Sequence, residues 1–295
     1  MPKAHGPDKL RQLRDLADSR EDQIDLALRL VRTEARQDVL EAVLEVLGSA
    51  ERDPRLRPAL LAAYAQCEEP DSRRDAGCHR RVALLHALRP VAQREDAALL
   101  ERASTNYEFV PPGPVEVAAG LRATALVVLN EVDDRLAGFH AARLLIDKRT
   151  SELSGEPAVT AVQVLASQEQ WLPLYTYVCQ AGAPLHEITA ECLRYLVGVP
   201  LSVLQPLVDR YIQSPHEIEV LGLFELLLSH PERRVFQPMV LEFMRDTKLF
   251  DLYRWFVTAA LSSRDPELIA AVTASVDEEK DPRKVAILRE ALTLR

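Results

Sequence analysis

The chain has 295 residues, 47% of them hydrophobic, only 10 glycines and a formal net charge of −9. That apolar share buries a substantial core, and the lack of long alternating Val/Ile/Thr segments argues against a sheet protein. Acidic and basic residues are interleaved without a long basic stripe, so nucleic acid is disfavoured as the main partner, because counterion-release binding needs clustered Lys and Arg.

The first residues, Met1-Pro2-Lys3-Ala4-His5-Gly6-Pro7, lack an apolar leader core. No apolar run reaches the roughly 18 residues that a bilayer span needs, so a cytoplasmic location is expected. Residues 1–20 read as a tail with a capping helix near 8–19, and 21–295 as a single array. Helix pairs are expected near 21–33 with 36–49, 55–66 with 78–90, 94–103 with 115–131, and 134–147 with 156–168. Further on, outer (A) helices are expected near 170–180, 202–213, 235–246 and 266–276. They alternate with inner (B) helices near 156–168, 186–198, 216–230, 250–263 and 283–294.

A repeat underlies that alternation. Val203-Leu204-Gln205-Pro206-Leu207-Val208 returns 32 residues later as Val235-Phe236-Gln237-Pro238-Met239-Val240, and Leu268-Ile269-Ala270-Ala271-Val272 is a looser third copy. Helical patterns recurring at such periods build stacked pairs, each burying a face on the next. Pro58, Pro173, Pro206 and Pro238 are expected in first turns, where a missing N–H costs nothing. Asp265-Pro266 and Asp281-Pro282 place a capping carboxylate before a first-turn proline. The inner helix from His216 to Leu228 is apolar almost all round, as expected of a helix sandwiched between neighbours.

Paired helices, an early proline in the outer helix, an Asp- or Pro-marked turn and an apolar inner helix resemble the HEAT repeat family. The likeness runs over roughly 20–295 and is strongest from 156 onward. The family's turn Asp and Arg are matched only in part, by Asp281, Arg283 and Lys284. The resemblance implies an all-α fold, a right-handed α-α superhelix (HEAT-like solenoid) of about eight helix pairs. It also implies a scaffold or adaptor without cofactor, holding a protein or peptide partner in its concave groove.

Candidate contact residues follow from the inner-helix starts. His186-Glu187-Ile188 and His216-Glu217-Ile218 lie 30 residues apart, so stacking would set them side by side. Two His-Glu pairs in adjacent repeats also resemble the deoxyhypusine hydroxylases, HEAT-like di-iron enzymes; that resemblance implies a metal-dependent enzyme as the alternative function. The family carries four such pairs, however, and the first half here has no His-Glu, its nearest histidines being His79 and His140. A capping and dipole role for these residues is the competing explanation. A third reading, a DNA-repair glycosylase-like solenoid, is opposed by the charge balance. No zincin, GxSxG, GxGxxG or Walker A motif occurs.

Arg254 and Trp255 are further contact candidates, being anchor types at the edge of an apolar helix, and Lys284 joins them at the last inner-helix start. Tyr107 and Phe109 lie in the 104–114 stretch, which is longer than a repeat connection needs and carries three prolines. Either they confer specificity or they fold back over a repeat interface. The run Arg73-Arg74-Asp75-Ala76-Gly77-Cys78-His79-Arg80-Arg81 is the densest basic patch, expected as a solvated loop or as a phosphate or acidic-peptide contact. Cys67, Cys78, Cys179 and Cys192 match no metal or disulfide spacing and are expected as reduced, buried thiols.

Overall fold

The computed structural model describes residues 6–34, 36–69, 75, 77–111, 113, 115–180, 185–263 and 265–293, leaving aside the side chain of Pro7. Arg73 and Arg74 of the basic patch lie outside the described residues. The fold is all-α. It divides into two compact units, Met1–Gln168 and Glu169–Arg295.

The first unit holds α1 (Gly6–Asp15), α2 (Arg20–Thr33), α3 (Gln37–Gly48), α4 (Leu56–Glu68) and α5 (His79–Leu88). It continues with α6 (Ala97–Ser104), α7 (Ala119–Val132), α8 (Asp134–Leu145) and α9 (Ala158–Ser167). The second holds α10 (Trp171–Cys179), α11 (His186–Arg194), α12 (Leu201–Tyr211) and α13 (Glu217–Ser229). It ends with α14 (Gln237–Asp246), α15 (Phe250–Ser262), α16 (Pro266–Glu278) and α17 (Pro282–Thr293). None of these helices, among the described residues, is long and apolar enough to cross a membrane.

Two sequence expectations are corrected. The helix expected from 115 begins at Ala119, because Phe109–Val110 (β1) and Val115–Glu116 (β2) form an antiparallel hairpin. The prolines also differ in setting. Pro238 is in the first turn of α14, whereas Pro206 is inside α12, beyond its first turn, so Ser202 loses its intrahelical donor there. The two sequence copies thus have unlike local structure: Val203 is already helical, while Val235 closes a 3-10 turn ahead of α14.

Buried cations recur at inner-helix starts. Helix C-termini leave carbonyls without intrahelical donors, and these must be satisfied when they are covered. Arg80, the second residue of α5, donates through Nη1 to Glu34 O and through Nη2 to Val31 O (2.9 Å), closing the end of α2. Lys284, the third residue of α17, closes the end of α14 by donating to Met244 O and Arg245 O at 2.8 and 2.7 Å. Arg210 and Tyr211 of α12 do the same for α10, reaching Gln180 O and Val178 O at 3.0 and 2.7 Å.

In the second unit α11 and α13 run parallel in close contact. Gly222 abuts Ala190 so tightly that a Cβ there would sit 2.5 Å from the Ala190 carbonyl oxygen. Only glycine permits that approach. The parallel register pairs His186 with His216 at one end and Arg194 with Glu225 at the other, where Nε donates to Oε2 at 2.5 Å.

Candidate partner-binding surface

The inner-helix starts of the second unit carry the predicted histidines. His186 opens α11 and His216 is the N-cap of α13. Because α11 and α13 share a register, their imidazoles stack with centroids 3.3 Å apart and planes 19° apart. The expected juxtaposition of the two histidines is therefore present. Their carboxylate partner is not the expected one.

His186 Nδ1 lies 2.8 Å from Oε1 of Glu219, a buried residue at the third helical position of α13. The other oxygen of Glu219 accepts from Ser214 Oγ at 2.5 Å. Glu217 instead accepts from the backbone N–H of Leu252 at 3.2 Å, tying the start of α13 to α15. Glu187 is exposed. With parallel rings, the two imidazoles do not converge on a shared point, and Glu219 already engages one ring nitrogen. Among the described residues no group of three or more His, Cys, Asp or Glu side chains is arranged to hold a metal ion.

Trp255 is half-buried on α15 and lines a groove of about 370 Å³. Leu228, Ala259 and Leu268 give the groove apolar walls, and Arg194, Glu225, Arg233 and Asp265 line its edges. Two ion pairs fix those edges: Arg194 with Glu225 at 2.5 Å, and Arg233 with Asp265 at 3.4 Å. Asp265 caps α16 by accepting from Glu267 N and Leu268 N. The Leu268 N–H above all, with Glu267 N–H and the Arg233 guanidinium, holds its carboxyl below the usual range against the cost of desolvation. Arg254, next to Trp255, is exposed and pairs with Glu290 at 2.5 Å.

Lys284 is removed from the surface. It is 1% exposed, its stem lies in the apolar stripe with Ile287 and Leu288, and its ammonium caps α14. Burial pushes its pKa below the usual lysine value, opposed by Glu279 at 4.0 Å. It is a packing residue and offers nothing to a partner.

The first unit corrects the basic patch in the same sense. Arg80 and Arg81 are buried, not solvated. Arg81 Nε donates to Asp75 at 2.6 Å, and its Nη2 reaches Glu108 at 2.6 Å. Of the cysteines, Cys67, Cys78 and Cys192 are buried as expected, but Cys179 is exposed. Desolvation drives the Cys78 thiol up to about 12, so it stays protonated near neutrality.

Tyr107 and Phe109 differ in setting. Tyr107 folds back, its hydroxyl 3.0 Å from Asp147 and its ring 4.2 Å beneath the Arg122 guanidinium. Phe109 in β1 is stacked under Arg149 yet remains 48% exposed. Arg122, fully buried, holds the hairpin down: it pairs with Glu116 at 2.8 Å and Asp147 at 3.3 Å and donates to Asn106 O at 2.9 Å.

The chain matches no protein-family model and no curated protein.

The residues that sequence reasoning missed are Glu219, Arg194 and Arg233. Glu219 had a legible signal, being a Glu three residues past an N-cap, where such side chains ordinarily turn back to the helix start. Arg194 and Arg233 had none, since their partners lie 31 and 32 residues away.

Proposed function

We propose that the chain is a non-catalytic, cytoplasmic scaffold or adaptor built from HEAT-like helix pairs, which holds a protein or peptide segment against the α13–α15 face of its second unit. The observation that carries this reading is the half-buried Trp255 in a groove with apolar walls and charged edges. Aromatic anchors beside arginines in partly desolvated grooves supply much of the affinity of protein interfaces. Arg254, next to Trp255 in sequence, is exposed as well, and the stacked His186–His216 pair presents a separate polar face at the opposite ends of α11 and α13 from Arg194 and Glu225.

The test compares wild type with Trp255→Ala and Arg254→Ala in quantitative affinity purification from native lysate, with thermal unfolding of each variant alongside. One protein recovered near stoichiometrically with wild type, and lost with both variants at unchanged unfolding temperature, supports the adaptor reading. Recovery that is indifferent to both substitutions sinks it.

A further inference from the structure

A second cavity in the same unit shares no lining residue with the Trp255 groove. About 530 Å³ opens between α14 and α16 over α15. Its walls include Met244, Tyr253, Phe256, Val257 and Val272, all buried residues of the core. The corresponding outer helices of the first unit, α2 and α4, pack directly on each other. α14 and α16, like α4 with α6 and α12 with α14, are not packed that closely, and both line the cavity. Apolar walls around a cleft of this size are the usual setting of a small-molecule site, with a few polar groups fixing the ligand's orientation.

The polar groups at the rim are unequally committed. Glu279 Oε1 accepts the backbone N–H of Lys280 and of Asp281 at 2.8 Å each, and Oε2 is 4.0 Å from the buried Lys284 ammonium. Its charge is thus spent on the chain itself. Arg245 and Lys280 are exposed and have no ion-pair partner among the described residues. Of the two acids lining the cavity, Glu278 has neither a backbone donor nor a cation as partner among the described residues, and it is exposed to water. The rim therefore offers two uncommitted cations against one solvated carboxylate.

We propose that this cavity is a binding site for a small amphipathic anion, with an apolar chain or ring system of roughly ten to fifteen heavy atoms and a single carboxylate head. The apolar body covers Tyr253, Phe256 and Val272, and the head lies between Arg245 and Lys280. Binding fills the cleft beside these side chains and adds close packing contacts, and the guanidinium gives the head charge-assisted hydrogen bonds. This site is independent of the partner surface at Trp255.

Calorimetric titration of the full chain with decanoate tests the assignment, with decanol and decyltrimethylammonium as controls. Saturable one-site binding of decanoate alone is expected. An Arg245→Gln/Lys280→Gln double variant, which removes both cations beside the head, should weaken it by at least about tenfold. Ser275→Phe, which fills the cleft from α16, should abolish it, and Ala271→Phe serves if that variant does not fold. Absence of saturable decanoate binding overturns the proposal. So does equal binding of decanol, or undiminished binding by a folded cleft-filling variant.

Discussion

The two units bury different side chains within the first turns of their helices. In the first unit the inner-helix starts carry arginines driven inside: Arg80 and Arg81 on α5 and Arg122 on α7 are all buried and tied to carbonyls or carboxylates. In the second, α11 starts with a half-exposed histidine, α13 is capped by an exposed one, and only Lys284 on α17 goes inside. A guanidinium has five donors in a planar fork and can satisfy several acceptors at once, which makes full burial tolerable. An imidazole has only two ring nitrogens; the two at these helix starts stay at the edge, whereas His230, which ends α13, is buried with Nε2 3.1 Å from Val199 O. Within these first turns the buried arginines and Lys284 hold the fold, while the stacked histidines stay at the surface.

Breaking a buried arginine cluster should have the largest effect. Arg122→Met leaves Glu116 and Asp147 buried without their cation and should cost about 3–5 kcal/mol in guanidinium unfolding. It should also release the hairpin, read as faster proteolysis near Phe109. A loss under about 1 kcal/mol would mean that the cluster is not structural.

Gly222→Ala tests the parallel α11–α13 contact. A Cβ 2.5 Å from backbone has no flexible side chain to push aside, so a loss of about 1–3 kcal/mol is expected. Lys284→Met keeps the stem's packing and strips two carbonyls at the end of α14 of their donor. The expected cost is about 1–3 kcal/mol, with amide exchange quickened in α14. If it proves neutral, the buried amine is no cap.

Asp265→Ala should cost about 1 kcal/mol as a lost N-cap. Because the folded pKa of Asp265 is depressed, its contribution is present above the ordinary carboxylate range and is lost as pH falls through the folded value. Asp265→Asn, which still caps, should retain most stability at neutral pH and show a shallower loss on acidification. The smallest effect is expected for His216→Ala, within about 0.5 kcal/mol, since the side chain is exposed. Any loss of partner recovery in that variant would then report on contact and not on folding.

Helix order was legible because amphipathic periodicity, first-turn prolines and acidic caps are local signals. Asp265 and Pro266 begin α16 where expected, and the stretches near 202–213, 235–246 and 250–263 became α12, α14 and α15 within two residues at each end. The buried cations also left a trace. Lys284 falls on one stripe with Ile287 and Leu288, as Arg81 does with Leu84, Leu85 and Leu88, so their periodicity ran inward although their type argued for the surface. Partner choice left less. Glu219 takes His186 while Glu217 takes a backbone N–H of α15, a sorting decided by helix register and not by adjacency in sequence.

The sequence by itself determined the all-α class, the order of the helices and the pairing of His186 with His216, because each rests on a period or a local cap. Tertiary structure alone decided which charges went inside, how Gly222 lets two inner helices touch, and where α14 and α16 leave a cavity. Those outcomes depend on orphan carbonyls, backbone approach and side-chain volume contributed by segments some thirty or more residues apart, which no local pattern encodes.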